Sequence, residues 1–133
     1  MDTEPYFAAL AHLVQDGRVL LPMSRRRGVW KTVGGRTEPG ETAEQTMFRE
    51  VGEEIGVRPT AYWRLPDRTV DSHGYPSHIA VFAVTAWEGE PANIAAYEHS
   101  DLRWFNASEI ESLALQEVVR QEALTLLAEV PRA

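Results

Sequence analysis

Apolar and polar residues alternate near the start of the chain, and a two-residue turn signal divides this pattern. Residues 6–14 (YFAALAHLV) form one apolar run and residues 18–23 form a second, with Asp16 and Gly17 between them. Two such runs joined by Asp-Gly predict a β-hairpin. His12 lies among the apolar residues of the first strand, and no second histidine lies at metal-binding spacing. We therefore expect His12 to have a structural role rather than to bind a metal.

The alternation gives way to a helical pattern between residues 42 and 56. Thr42 and Gln45 have the spacing of a capping box, which places the start of a helix near residue 41 or 42. Gly56 supplies a left-handed stop at the other end. The apolar residues within these limits recur at helical spacing and fall on one side. They are Ala43, Met47, Phe48, Val51 and Ile55. The sequence therefore predicts a short amphipathic helix.

Extended segments dominate the middle of the chain. After Arg58-Pro59, residues 61–71 form a long strand interrupted at Pro66, and residues 78–87 (HIAVFAVTAW) form a nearly continuous apolar run. A run of this kind is typical of a strand inside a sheet. Residues 71–78 between them have the composition of a loop, and residues 97–105 (YEHSDLRWF) predict a loop followed by another strand.

The last part of the chain is predicted to be helical. Ser108 and Glu111 form a second capping box, and residues 116–129 form a long helix that covers one face of the sheet. Five residues supply its apolar surface. They are Val118, Val119, Leu124, Leu126 and Leu127. Trp104 and Phe105 are expected in the core. This order of elements predicts the α/β class, with a mixed sheet between helices on both faces.

Composition restricts the class of protein further. The 133 residues contain no repeat or linker and are expected to form a single domain, 1–133. The absence of cysteine excludes disulfides, thiolate metal sites and cysteine nucleophiles. A net charge of -7 argues against bulk electrostatic binding of a nucleic acid polymer. No apolar run approaches the roughly 20 residues that cross a bilayer. The N-terminal residues lack the pattern of a secretory signal, so we expect a cytoplasmic protein with no membrane partner.

A basic cluster stands out against the acidic composition. Six basic residues and no acidic one lie between Gly17 and Thr37. They are Arg18, Arg25, Arg26, Arg27, Lys31 and Arg36. Such a cluster can serve solubility or protect an edge strand, and it can also bind the phosphates of an anionic substrate. For the second role we select Arg26, Arg27 and Arg36.

Three carboxylates share the polar side of the predicted helix between residues 42 and 56. Glu50, Glu53 and Glu54 have i, i+3 and i+4 spacing, which brings like charges within reach of one another. One interpretation is a solvated acidic face. The other is a binding site for a hard divalent cation with oxygen ligands, Mg²⁺ or Mn²⁺.

The segment that contains these carboxylates resembles the Nudix box, the signature of the Nudix hydrolase superfamily. All nine specified positions match. They are Gly35, Glu41, Arg49, Glu50, Val51, Glu53, Glu54, Gly56 and Val57. The preceding residues Trp30 to Gly35 also resemble the family, with Val33 where proline is usual. The chain is thus identified as a member of this superfamily, which implies the Nudix fold, an α/β/α sandwich with a mixed β-sheet.

The resemblance also implies roles for individual residues. Glu50 and Glu54 are expected to bind metal together with the carbonyl of Gly34, and Glu53 is expected to act as a further ligand or as the general base. Arg49 would orient these glutamates and Glu41 would steady the loop. Glu98 matches the position from which several members bring a fourth carboxylate to the metals, and it is the other candidate for the base.

For function, the resemblance implies Mg²⁺-dependent hydrolysis of a diphosphate linkage in a nucleoside diphosphate derivative. A MutT-like nucleoside triphosphate pyrophosphohydrolase is the main hypothesis. The alternatives are hydrolysis of ADP-ribose, dinucleoside polyphosphates or nucleotide sugars, and a Nudix module that binds nucleotides without hydrolysis. Tyr75 or His73 of the predicted loop can contact a nucleobase. A homodimer is possible through Trp63, Trp87 and Tyr62.

Overall fold

The computed structural model of the protein describes residues 6–70 and 76–131. Within these ranges the chain forms six β-strands and three helices. In order they are β1 (Tyr6–Gln15), β2 (Arg18–Ser24), β3 (Val33–Arg36), α1 (Ala43–Ile55), β4 (Arg58–Val70), β5 (Pro76–Glu88), β6 (His99–Asn106), α2 (Ala107–Ser112) and α3 (Glu117–Glu129). None of the helices in the described ranges has the length and apolar character that a membrane span requires.

The strands form one mixed sheet in the order β4-β5-β1-β2-β6. β1 and β5 run parallel, whereas the other pairs are antiparallel. The predicted hairpin is confirmed, since β1 pairs with β2 across a turn in which Asp16 and Gly17 both have positive φ, 52° and 73°. A two-residue turn with this geometry matches the twist of the flanking strands.

β1 divides one of its edges between two partners. Its last residues pair with β2, and its middle residues pair with β3, where Leu10 lies opposite Gly34 and Ala9 opposite Gly35. Because β5 occupies the other edge of β1, the two glycines lie beside an interior strand. This arrangement holds the start of the Nudix box against the middle of the sheet.

Helices cover both faces of the sheet, so the predicted α/β/α sandwich is confirmed. On one face, Ala9 and Ala11 of β1 pack in a core cluster with Met47, Val51 and Ile55 of α1. On the other face a second cluster joins strands β2 and β6 to α2 and α3. Its buried members are Val19, Leu21, Phe105, Ile110, Val119 and Ala123. Alternate residues of each strand therefore face different helices.

α1 has the predicted boundaries for the predicted reasons. The side chain of Thr42 accepts a hydrogen bond from the Gln45 N–H at 3.1 Å, and the Gln45 side chain accepts one from the Thr42 N–H at 2.8 Å. Gly56 ends the helix in the left-handed conformation with φ 73°. A residue with a Cβ adopts this conformation only at a cost in free energy, so glycine sets the end of the helix here.

The capping box predicted at Ser108 and Glu111 is wrong. α2 begins two residues earlier, with Asn106 as its N-cap and Glu109 as the reciprocal partner, at 2.9 Å in both directions. Asn106 ends β6 with extended backbone angles, φ -84° and ψ 175°, which an N-cap residue requires. Ser108 lies inside the helix, where its backbone is already helical.

Other predictions need smaller corrections. Val118 does not belong to the buried surface of α3, because it is 42% exposed while its neighbour Val119 is buried. β4 begins at Arg58 rather than at residue 61, and its pairing with β5 is irregular between Leu65 and Arg68, on either side of the predicted interruption at Pro66. Phe105 is buried as expected.

The aromatic residues suggested for a dimer surface lie in different environments. Tyr62 and Trp63 of β4 are 38% and 41% exposed. Trp87 is partly buried and stacks on Trp104 with ring centroids 6.0 Å apart. Homodimer formation stays a prediction. His73 and Tyr75 lie outside the residues that the structure describes.

Candidate active site

The paired glycines of β3 contact two glutamates of α1. The backbone N–H of Gly34 donates to Glu54 Oε2 at 3.0 Å. A Cβ on Gly35 would lie 2.7–2.8 Å from the carboxyl atoms of Glu50, closer than van der Waals contact permits. Glycine at position 35 therefore lets the backbone of β3 approach the acidic side of the helix closely, whereas a Cβ on Gly34 would meet the backbone of Ala9 and Leu10 in β1.

Arg49 connects the glutamates of the Nudix box to one another. Its Nε and Nη2 donate to the two carboxylate oxygens of Glu41 at 2.8 and 2.9 Å. Its Nη1 donates to Glu50 at 2.8 Å and more weakly to Glu53 at 3.4 Å, and Nη2 also donates to the Arg36 carbonyl at 3.0 Å. A planar guanidinium with this many partners fixes the orientation of Glu50 relative to the loop that precedes α1.

Glu41 is held as a carboxylate by these contacts. Hydrogen bonds from Arg49, and then from the Glu38 backbone N–H, lower the pKa of Glu41 to about 2. The same interactions raise the pKa of Arg49 further above its usual value. The pair is thus charged at all physiological pH values and stabilises the loop at the start of the helix.

Glu54 is the most buried carboxylate of the group. It is 3% exposed. Burial raises its pKa to about 9, and a hydrogen bond with Glu50 acts in the same direction, while the positive charge of Lys31 opposes both. A carboxyl group in this environment takes up either a proton or another cation, since a buried negative charge without a partner is unfavourable.

His99 lies beside Glu54, and the sequence analysis missed it. Its Nε2 is 3.4 Å from Glu54 Oε1 and 3.9 Å from Glu98 Oε2. Burial, and secondly the charge of Lys31, lower the pKa of His99 to about 4, so the imidazole is neutral near pH 7. The available signal was an adjacent acid and histidine, Glu98-His99, at the predicted start of a strand.

The donor atoms around Glu54 fit a divalent cation. Within the described residues, Glu54 Oε1 and both ring nitrogens of His99 are buried without a hydrogen-bond partner. One ligand atom each from Glu54, Glu98 and His99 lies within 4.8 Å of the others. The two carboxylates are suitable ligands for Mn²⁺ or Mg²⁺, and polar atoms that lack protein partners are what such a site requires.

A cleft of about 1170 Å³ opens from this group of side chains over the α3 face of the sheet. Gly34, Gly35 and Glu98 lie at its acidic end. Five basic residues line it as well, namely Arg25, Arg26, Arg27, Lys31 and Arg68. The loop that carries the first three of these is tied to the segment before β6, because the Arg25 N–H donates to the Glu98 carbonyl at 2.9 Å.

The structure thus brings together some of the predicted residues and separates others. Glu50, Glu54, Glu98 and Gly34 converge, and Arg26 and Arg27 line the cleft. Arg36 and Glu53 are not among the described residues that line it. Arg36 lies at the end of β3 with its carbonyl bound to Arg49, and the Glu53 side chain is 60% exposed beside Arg49. Lys31 was recognised only as part of the basic cluster.

The mixed sheet, its two helical layers and the braced glutamates beside Gly34-Gly35 together define a Nudix hydrolase. The family profile described as "NUDIX domain" matches residues 5–127. The chain belongs to this family, and its fold is similar to that of MutT.

Similarity to individual proteins supports this assignment. CTP pyrophosphohydrolase of Escherichia coli (strain K12) is 29% identical over 103 residues, which are 74% of this chain and 74% of that protein. Oxidized purine nucleoside triphosphate hydrolase of Danio rerio is 33% identical over 108 residues, 76% of this chain and 66% of that protein. A solved structure of MutT, from Aliivibrio salmonicida or Vibrio cholerae, superposes with a TM-score of 0.80 at 21% identity, covering 96% of this chain and 100% of the other.

Proposed function

We propose that the protein hydrolyses a diphosphate linkage in a nucleoside diphosphate derivative, and that its substrate is a nucleoside triphosphate, as in MutT. The observation that carries this proposal is the convergence of Glu50, Glu54 and Glu98 beside Gly34, at one end of a cleft with basic walls. An acidic group alone would repel a polyphosphate, and basic walls alone would bind it without cleaving it.

A divalent cation, Mg²⁺ or Mn²⁺, reconciles the acidic group with an anionic substrate. Glu50, Glu54 and Glu98 would hold the cation, with the carbonyl of Gly34 as a further ligand. When bound there, it supplies charge neutralisation of the diphosphate and acidifies water. Arg49 keeps Glu50 in place for this role through its contacts with Glu41.

Two glutamates can accept the proton from the attacking water. Glu98 lines the cleft and its side chain is 48% exposed. Glu53 is 60% exposed, but it is turned toward Arg49, which it contacts at 3.4 Å. A general base must reach the water that attacks the substrate, which favours Glu98. In this arrangement Glu53 assists by holding the guanidinium of Arg49.

The basic walls of the cleft account for substrate binding. Arg26, Arg27 and Lys31 line the cleft, and in this proposal they bind the phosphates that extend beyond the acidic end. A nucleoside triphosphate fits this distribution, and the two hydrolases of Escherichia coli and Danio rerio described above take their names from nucleoside triphosphates. ADP-ribose, dinucleoside polyphosphates and nucleotide sugars share the diphosphate group and are the alternative substrates. A module that binds nucleotides without hydrolysis is the alternative of a different class.

A turnover screen tests the proposal. Phosphate release, with added pyrophosphatase or phosphatase, is measured with Mg²⁺ and separately with Mn²⁺. The panel contains nucleoside triphosphates including oxidised guanine nucleotides, ADP-ribose, dinucleoside polyphosphates and nucleotide sugars. Glu50→Gln is the test variant, and Glu44→Gln is the matched control because Glu44 is an exposed glutamate in the first turn of the same helix.

We expect metal-dependent hydrolysis that is best with a nucleoside triphosphate, lost in Glu50→Gln and kept in Glu44→Gln. Full activity of Glu50→Gln would contradict the assignment of Glu50. Comparing Glu98→Gln with Glu53→Gln then identifies the base, and a larger loss of kcat in Glu53→Gln would exclude the role given to Glu98. Nucleotide binding without turnover under any condition would support the binding module instead.

A further inference from the structure

A buried polar network connects β1 to the wall of the cleft. His12 Nε2 lies 2.9 Å from Glu122 Oε1 of α3. Arg68 of β4 donates from Nε to Glu122 Oε2 at 2.9 Å and from Nη2 to Glu122 Oε1. Nη2 also donates to the Thr32 hydroxyl at 3.1 Å. The network thus joins β1, β4, α3 and the connection before β3.

The network ends at the surface of the cleft. His12 is fully buried, while the side chains of Arg68 and Glu122 are 12% and 14% exposed. Arg68 and Thr32 line the cleft. The pairing irregularity between Leu65 and Arg68 breaks the alternation of β4, and such a bulge re-aims the side chains that follow it.

Stability alone gives little reason for this arrangement. Removing a carboxylate and a guanidinium from water costs about as much free energy as their attraction returns, and apolar residues of similar volume are often as stabilising. What the network does achieve is orientation. A guanidinium held at both Nε and Nη2 by one carboxylate has a fixed plane. Within the described residues no partner is found for Nη1 of Arg68.

The surroundings of Arg68 favour a nucleobase over a phosphate. Its charge is compensated by Glu122 at close range, and the arginines of the loop after β2, which also line the cleft, are the candidate phosphate ligands. Ala8 of β1 and Ile79 of β5 line the cleft beside it, and the sheet register aligns Arg68, Ile79 and Ala8 across three neighbouring strands. An apolar floor next to one fixed donor is suited to a planar ring with a polar edge.

We propose that Arg68, oriented by Glu122 and His12, determines base specificity by selecting purines with an oxygen at position 6. This inference rests on the proposed function, since it assigns the base-binding end of the same cleft. A guanidinium N–H donates to O6 and N7 of guanine, whereas adenine presents an amino group at position 6, which is also a donor. Two donors face each other in the adenine complex, so a 6-aminopurine is rejected.

Inosine and adenosine nucleotides test this idea, because both lack the 2-amino group of guanine and differ at position 6. The first measurement is the ratio of kcat/KM for ITP and ATP. The second is the ratio of dissociation constants for IMP and AMP, which requires no hydrolysis. Arg68→Lys keeps a positive charge beside Glu122 but loses the planar fork, and Arg68→Met removes the donors. Arg64→Met is the control, because Arg64 lies on the same strand and pairs with exposed Asp67.

We expect wild type and Arg64→Met to favour the 6-oxo nucleotide by about 10-fold or more in both ratios, the range for a good polar base contact. Arg68→Lys is expected to lower both ratios while folding as wild type does, as judged by thermal unfolding, because its ammonium still donates hydrogen bonds but is not held in one plane by Glu122. Arg68→Met combined with Glu122→Gln removes the donors without leaving an unpaired carboxylate, and this double variant is expected to bring both ratios to about one. Glu122→Gln is expected to reduce the ratios less than removal of the Arg68 donors does, because it disturbs only the orientation of Arg68.

Three results would overturn the inference. One is a wild-type protein that binds IMP and AMP equally. Another is an unchanged ratio in Arg68→Lys. The third is a loss of affinity in the Arg68 variants that is equal for both nucleotides and for inorganic tripolyphosphate. That result would make Arg68 a phosphate ligand. Failure of the proposed function looks different, because wild type would then hydrolyse no nucleotide while the IMP and AMP affinities could still be compared.

Discussion

The carboxyl group of Glu50 lies against the backbone of Gly35, so closely that a Cβ on Gly35 would be 2.7 Å from the Glu50 carboxyl carbon. The contact joins β3, in which the Nudix box begins, to α1, the helix within the box. Glu50 is also bound to Arg49 on its other side at 2.8 Å, so its side chain has little room to yield. Gly35 therefore sets the position of a proposed metal ligand.

The first prediction is that Gly35→Ala displaces Glu50 and reduces kcat by about 10-fold or more, in the range found when the support of a metal ligand is lost. Gly52→Ala is the matched control. Gly52 lies on α1, and a methyl group added there would meet no atom beyond its own helix backbone within 4 Å. Alanine in a helix is more stable than glycine by about 0.5–1 kcal/mol. The control should unfold at a slightly higher temperature with unchanged kcat. Equal activity of both variants would contradict the role of this contact.

The second prediction concerns Arg49, which holds Glu41 with two nitrogens and Glu50 with the third. Lysine keeps the charge but cannot contact these partners in one plane. Arg49→Lys should therefore lower activity by about 10–100-fold and raise the Mg²⁺ concentration that gives half-maximal rate, with the folded structure retained by circular dichroism. Arg103→Lys, at an exposed ion pair with Asp101, is the control. Wild-type metal dependence in Arg49→Lys would disprove the positioning role.

The third prediction is a pH dependence of stability from Glu122. Burial acts to raise its pKa, but hydrogen bonds from Arg68 and His12 outweigh this effect and lower the pKa to about 2 from an ordinary value of 4.5. A depressed carboxyl pKa gives stability that is complete above the unfolded-state value and is lost as pH falls toward the folded-state value. This contribution, on the order of 1–3 kcal/mol, should therefore disappear between about pH 5 and pH 2.

Urea unfolding of wild type and Glu122→Gln at several pH values measures the contribution of Glu122 to stability. The difference in free energy of unfolding between the two proteins should be largest above pH 5 and should shrink steadily on acidification. Glu129 is an exposed glutamate at the end of the same helix, so Glu129→Gln controls for general effects of charge on α3. A difference that does not change with pH would show that the ion pair with Arg68 does not stabilise the fold.

Capping patterns in the sequence predicted those helices whose ends are determined by contacts between residues close in sequence. Thr42, Gln45 and Gly56 determine α1 through bonds within a few residues of one another, so the sequence carries the whole of that information. The same rule failed at Ser108, because Asn106 and Glu109 offer an equivalent spacing and the end of β6 selects between them. Val118 was misplaced because α3 is apolar on several sides, and only packing against the sheet decides which side is buried.

The parts of the site that could not be predicted depend on contacts between distant residues. His99 contacts Glu54 across 45 positions of the sequence, and Arg68 contacts Glu122 across 54. Neither pair has a spacing pattern, because the packing of a helix against the sheet, rather than sequence distance, brings each pair together. The box glutamates were found because their spacing follows one helix, whereas their buried or exposed state depends on β3 and β6.

The last prediction is that a divalent cation stabilises the folded protein through Glu54. The buried Glu54 Oε1 has no hydrogen-bond partner among the described residues, and a ligand that binds only the folded state raises its stability by about 2.7 kcal/mol at 100 times the dissociation constant. Mg²⁺ or Mn²⁺ should therefore raise the unfolding temperature of wild type and of Glu44→Gln, and EDTA should reverse the increase. Glu54→Gln removes the buried charge that attracts the cation, so its unfolding temperature should respond little to either metal. The same increase in Glu54→Gln as in wild type would place the metal elsewhere.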